Sequence, residues 1–319
     1  MHLSRLLWIV PALALTGCGS ISTPSTPPPV VNVAYAGSLE LINQQALGPA
    51  FTQTFHIGYQ GRGGGSFGLA QELKSHTISA DVFESIGMAP IEVVEPKARA
   101  WAVAVASSPL VVAYNPHSRF AAELNAIRDH KAPLSQLFQL IMTPGFALGR
   151  TNPVTDPQGR AFCEMMELAV ARYHLPSSDL TKLWGGTPTS SSQIYSEEGI
   201  LTQLQSGGID ASSAFLSEAL QRHLPYIALP PALNFADSAY ANTYASAHLA
   251  VNGKTVAGTP LYIDVTLPNI QPSAPAKKFL NFLLSPKGRA LWHKMGYESI
   301  SPKVLGNPAA MPPGVDVNP

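Results

Sequence analysis

Two short turns, Gly37-Ser38 and Gly65-Ser66, each follow an apolar run and precede a helical pattern. A serine at such a junction sets a hydroxyl beside the free backbone N–H groups of a helix start, where the macrodipole favours negative charge. Two such turns can hold a small anion through neutral donors alone. Either serine can equally be an ordinary N-cap, worth about 1 kcal/mol. The second turn has a rival reading, because Gly64-Gly65-Ser66-Phe67-Gly68 fits the G-x-S-x-G turn of serine hydrolases. An envelope esterase would need a downstream acid and then a histidine, for which Asp264 and His293 are available. The overlapping G-x-G-x-x-G spacing from Gly63 to Gly68 is a weak dinucleotide signal.

The elements that must position these turns read as α/β. Val31 to Ala36 is a strand pattern feeding Gly37-Ser38, and a helical pattern with Leu41, Ile42, Ala46 and Leu47 follows. A second strand around Phe55 to Gln60 runs into the glycine-rich turn, with a helix carrying Leu69 and Leu73 behind it, and Ser79 to Glu84 is a third. Further strands are expected at 101–106, 109–114, 146–149, 226–229 and 260–267, and one helix from Ala274 to Lys294. No internal repeat is present.

At 319 residues the chain is long enough for two lobes. Charged residues are only 13%, with 20 basic against 20 acidic, so neither nucleic acid nor an anionic membrane surface is sought through bulk charge. The first residues carry Arg5, an apolar stretch from Leu6 to Leu15 and then Leu15-Thr16-Gly17-Cys18, the pattern of a lipoprotein signal. Residues 1–18 are therefore expected to be a leader, with Cys18 lipidated, and the Ser/Thr/Pro-rich segment 19–30 a tether. Cys163 is then left without a partner, so a disulfide is not expected, and its helical surroundings fit a buried small apolar residue.

Taken in order, Tyr35-Ala36-Gly37-Ser38-Leu39, Gly64-Gly65-Ser66 with Ala80-Asp81-Val82-Phe83, and Gly149-Arg150-Thr151-Asn152-Pro153 with Asp156-Pro157 resemble archaeal-type tungstate/molybdate-binding proteins. The resemblance continues through Leu204 to Asp210, Leu224 to Pro230 and the helix around Ala276 to Gly288, spanning about Val31 to Pro302. It implies a two-lobed type II periplasmic-binding fold with a two-strand hinge and a ligand cleft. Lobe 1 would be 31–112 with 231–305, lobe 2 would be 113–230, and 306–319 a flexible tail. It further implies a non-enzymatic substrate-binding lipoprotein of the cell envelope or periplasm. Such a protein captures molybdate, tungstate or another oxyanion such as sulfate, and passes it to an ABC permease and its ATPase. It would act as a monomer with no cofactor and no nucleic-acid partner.

The same resemblance assigns ligand contacts to Ser38, Leu39, Ser66 and Asp156, with Phe215 and Ser217 from the pattern around a family glutamate. In that family two carboxylates complete the metal centre of the bound oxyanion. Asp156 matches the first, although it can instead cap the helix beginning near Gln158. Ala214 stands at the position of the second, and Glu218 lies four residues further on. A carboxylate beside a dianion is repelled unless it coordinates the metal or is protonated. Tyr195, Glu197 and Glu198 read as first-turn residues of a helix, Trp184 to Ser192 as a polar loop, and His76, His117, His130, His174 and His223 show no metal-ligand spacing.

Overall fold

The structure, a computed structural model, describes residues 28–317. Residues 1–27 and 318–319, and with them the expected leader, Cys18 and nearly all of the tether, lie outside the described residues. No helix among the described residues is long and apolar enough to cross a membrane.

Two mixed sheets form the centres of two lobes. The first runs Glu298–Gly306, Trp101–Ser107, Ile263–Thr266, Val82–Ile86, Val30–Ala36, Gly58–Gly64 across its width. Val30–Ala36 pairs in parallel with Gly58–Gly64 and with Val82–Ile86, so helices must bridge these strands and cover both faces. The period of two accomplishes this. Val31, Val33 and Tyr35 enter the main core with Phe51 and Phe279, while Ala34 and Phe83 enter a second cluster with Leu69, Ala70 and Leu73. Both Gly-Ser turns therefore sit at the carboxyl ends of parallel strands, where an α/β sheet opens to ligands.

The second sheet runs Tyr226–Ala228, Leu110–Tyr114, Ala211–Phe215, Leu148–Thr151, Ile194–Tyr195. Its middle strand, Ala-Ser-Ser-Ala-Phe, is small and polar enough to be missed in a search for apolar runs, yet every residue of it is buried. Trp101–Ser107 and Leu110–Tyr114 belong to different sheets, so Ser108-Pro109 is the first crossing between the lobes. The return differs from the expected boundary at 230. Helix Pro231–Asn234 and the hairpin His248–Ala257 pack on the second-lobe helix Pro157–Arg172, with Leu249 and Val251 against Cys163. Leu261 and Tyr262 then tie back, through Leu261 N–H to Phe235 C=O at 2.8 Å and Gly87 N–H to Tyr262 C=O at 2.8 Å. Cys163 is free and buried, and burial pushes its thiol up to about 12.

The helix expected over Ala274 to Lys294 is two helices, Ala274–Leu284 and Pro286–Lys294. Pro286 supplies no N–H to continue the first, and Ser285 Oγ caps the second by accepting from Gly288 N–H at 3.2 Å. The segment after 306, expected to be flexible, is held instead: Asn281 donates to Gly314 C=O at 2.8 Å and accepts from Asp316 N–H at 3.0 Å, and Met311, Val315 and Val317 pack on the core.

Candidate functional site

The seam between the lobes brings four of the expected contact residues around one small cavity: Ser38 and Leu39 from the first turn, Phe215 and Ser217 from the second lobe. Ser108 of the first crossing and Tyr297 add polar groups to this wall, and Ile86, Leu261, Tyr262 and Ile263 make up the rest of it. Ser217 N–H donates to Ser108 Oγ and Ser108 Oγ–H to Ser217 Oγ, both at 3.0 Å, so the crossing strand fixes Ser217. Tyr297 OH donates to Ser38 C=O at 3.2 Å, and burial drives its phenol far above the ordinary range. Ser38 Oγ has no hydrogen-bond partner among the described residues. Its backbone N–H does: it donates to Glu197 Oε1 at 2.9 Å across 159 positions of sequence.

The second turn is engaged in the same manner. Phe67 N–H and Gly68 N–H, the open donors at the start of helix Ser66–Lys74, both reach Thr155 C=O of the second lobe, at 2.9 and 3.2 Å. Arg160 stacks on the Phe67 ring with its guanidinium carbon 3.9 Å from the centroid. Gly65 permits this approach, since a Cβ there would meet Thr155 O at 2.6 Å and Asp156 Cβ at 3.5 Å. Ser66 does not line the small cavity but adjoins it, fully buried, with its Oγ accepting at 3.2 Å from the N–H of Ile86, a lining residue. Asp156 faces this turn through the same contact, and its Oδ1 caps helix Pro157–Arg172 by accepting from Gln158 N–H at 2.9 Å. Both serine turns and Asp156 thus meet across the seam, with Asp156 also in the capping role that the sequence allowed.

Ala214 packs in an apolar cluster with Ile200, Leu201 and Leu204. Glu218 is turned to its own helix start, accepting from Phe215 N–H at 2.8 Å and Gln158 Nε2 at 2.7 Å. Burial raises its carboxyl to about 7, and burial does the same to Glu84, whose Oε2 accepts from Asn43 Nδ2 at 2.7 Å. Both acids hold their protons in the fold at pH values where the unfolded chain releases them. Their stabilisation is therefore complete below about pH 4.5 and is lost as pH rises through about 7, on the order of 3 kcal/mol for each. Thermal unfolding should show a midpoint several degrees lower at pH 8 than at pH 5. Glu84→Gln should flatten that slope, and an unchanged slope would mean that Glu84 is ionised in the fold.

Sequence reasoning missed four participants: Ser108, Thr155, Tyr297 and Glu197. Thr155 acts through its carbonyl and Tyr297 through long-range packing, neither of which has a local signature. Glu197 does begin helix Glu197–Gln205 as expected, but its carboxylate serves the other lobe. The polar loop 184–193 is tied to Arg150 rather than to the seam, its guanidinium donating to Pro188, Trp184 and Thr187 carbonyls and to Gln193 Oε1. No group of three or more metal-ligating side chains occurs among the described residues. The esterase constellation does not form around Ser66. Its Oγ accepts from a backbone N–H, that of Ile86, and Asp264 is a buried sheet residue whose carboxyl burial pushes well above the usual range.

Comparison with known proteins follows the same lines. The family described as "Bacterial extracellular solute-binding protein" matches residues 31–298. A Haloferax volcanii chain provisionally named an ABC transporter molybdenum-binding protein is 29% identical over 241 residues, 75% of this chain and 72% of its own. A molybdate/tungstate-binding protein of Pyrococcus abyssi is 26% identical over 226 residues, 64% of each chain. Among solved structures, the periplasmic molybdate-binding protein of Azotobacter vinelandii superposes with a TM-score of 0.56 at 16% identity, over 84% of this chain and 98% of its own. That likeness shows the fold: two lobes, α/β, of the periplasmic-binding kind.

Proposed function

Because the chain belongs to the bacterial extracellular solute-binding protein family and is a transport component rather than an enzyme, working with the permease and ATPase of an ABC transporter, we propose that its solute is a tetrahedral oxyanion, molybdate or tungstate. The observation that carries this reading is the pair of Gly-Ser turns at the seam. Each presents backbone N–H groups to an oxygen acceptor from the opposite lobe: Glu197 Oε1 on Ser38, and Thr155 O on Phe67 and Gly68. A tetrahedral oxyanion offers an oxygen that can take the Glu197 position on the first turn, while the Thr155 contact holds the second turn against the opposite lobe. No Lys or Arg lines the small cavity, so the anion is met by neutral donors, with the hydroxyls of Ser38 and Ser217 among them.

In this reading Ser38, Leu39 and Ser66 bind from the first lobe, and Phe215 and Ser217 shape the second. Asp156, whose Oδ1 is held by its own helix, is the carboxylate beside the metal of the anion. Ala214 removes the second coordinating carboxylate of the resembling family, so the centre would stay at lower coordination. Delivery follows from closure: the lobes shut over the anion, and the shut form is what the permease reads. The leader pattern ending in Cys18 supports a lipid-anchored position in the envelope.

Thermal unfolding with molybdate, tungstate, sulfate and phosphate tests the ligand. A solute that binds only the folded state raises stability by RT ln(1 + [L]/Kd), about 2.7 kcal/mol at 100 Kd. Molybdate or tungstate should raise the midpoint by several degrees, and Ser38→Ala should shrink that increment. An increment with sulfate alone would move the assignment to sulfate, and none with any oxyanion would remove it.

A further inference from the structure

We propose that Glu197 is an internal stand-in for the ligand, a carboxylate that latches the empty lobes together and must be displaced before an oxyanion can occupy the first turn. This rests on the proposed reading of the two Gly-Ser turns as the anion site. Glu197 is 8% exposed and stands at the first position of helix Glu197–Gln205. That helix is fixed to the second sheet through Ile200, Leu201 and Leu204, and Ser196 caps it by accepting from Gly199 N–H at 3.1 Å. The carboxylate is thus carried on a rigid element and reaches out of its own lobe. A Cβ at Gly37 would meet Glu197 Cδ at 2.8 Å and Oε2 at 2.9 Å, so the carboxylate lies flat on the bare Cα of the turn. Oε1 takes the Ser38 N–H that an anion bound there requires.

The space that remains decides between sharing and competition. The cavity beside Ser38 and Ser217 has a volume of about 10 Å³, roughly the smallest that holds a single water. A tetrahedral oxyanion does not fit that space in the closed seam, and Glu197, which stands outside its lining, already holds the adjoining Ser38 N–H. Nor can a dianion settle against the fixed carboxylate without like-charge repulsion. At the second turn the Thr155 C=O contact belongs to the closed seam and stays, so the exchange is confined to the first turn. Binding is then an exchange of one oxygen acceptor for another, and Glu197 sets how strongly a solute must hold both lobes to win it.

The test compares wild type, Glu197→Gln and Glu197→Ala by small-angle scattering without ligand and by calorimetric titration with tungstate. Removing the carboxylate should enlarge the ligand-free radius of gyration, with tungstate restoring the compact value, and should tighten tungstate binding about tenfold, the order of one charge-assisted hydrogen bond. Glu197→Gln keeps the shape of the side chain and should tighten binding even if the alanine variant folds poorly. Weaker tungstate binding in either variant would overturn the proposal, because Glu197 would then be one of the ligand's own contacts. Unchanged radius and unchanged affinity would also overturn it while leaving the oxyanion assignment intact. An enlarged radius with no oxyanion bound by any of the three proteins would keep the latch and sink the ligand.

Discussion

Gly65→Ala is expected to weaken oxyanion binding about 10- to 100-fold. The backbone at this position, φ −58° and ψ 129°, suits alanine as well as glycine, so the substitution brings no conformational strain. What it brings is a methyl group whose carbon would lie 2.6 Å from Thr155 O, on the far side of the seam. A backbone carbonyl cannot turn aside as a side-chain tip can, and overpacking of this kind costs about 1–3 kcal/mol. The cost falls on closure alone, since each lobe keeps its own core. Titration with tungstate should show the loss while circular dichroism stays that of the wild type. Undiminished affinity would mean that ligand is held with the second turn and Thr155 apart.

The second large effect is on stability. Arg150 is fully buried on strand Leu148–Thr151, and burial pulls its guanidinium below the usual range with no carboxylate paired to it among the described residues. It persists there because its donors serve three carbonyls and one amide oxygen of the 184–193 loop, at 2.8 to 3.3 Å. Arg150→Met keeps much of the volume and strips this donor from the Pro188 and Thr187 carbonyls and Gln193 Oε1, while Trp184 C=O keeps Ser191 Oγ–H at 2.7 Å. The expected loss is about 3–4 kcal/mol, a fall in unfolding midpoint of roughly 6–12 °C. Arg150→Lys should recover little, because a single ammonium cannot span the fork. A fall below 2 °C would show that the loop finds other donors.

Much of this was legible because the informative residues are local. Val31 to Ala36 feeding Gly37-Ser38, and the glycine-rich turn feeding Ser66, are strand-turn-helix signals that survive any tertiary context. The seam itself was not legible, for three physical reasons. The acceptor on the second turn is a backbone carbonyl, and Thr155 has no residue type that announces it. The acceptor on the first is Glu197, whose place at a helix start is what any first-turn glutamate shows; only the fold reveals that its charge is spent on Ser38. The strand Ala211–Phe215 lies mid-sheet and is buried on both faces, so small residues replace the alternation that marks a strand, and its neighbours rather than its own pattern place it. Helix ends were obscured for a related reason. His56, His76, His130, His174 and His223 all stand at φ between 53° and 58°, the left-handed position where glycine usually signals a stop. Histidine is among the residues that tolerate it.

The claim on which the rest depends is that a metal oxyanion sits between the lobes at the two Gly-Ser turns. A crystal grown with tungstate and measured at the tungsten absorption edge locates the metal by its anomalous signal, independent of any fitting of protein atoms. The expected result is one strong peak between Ser38, Ser66 and Asp156, with Glu197 no longer on the Ser38 N–H. A peak at any other site, or none at millimolar tungstate with Glu197 still on Ser38, would contradict it.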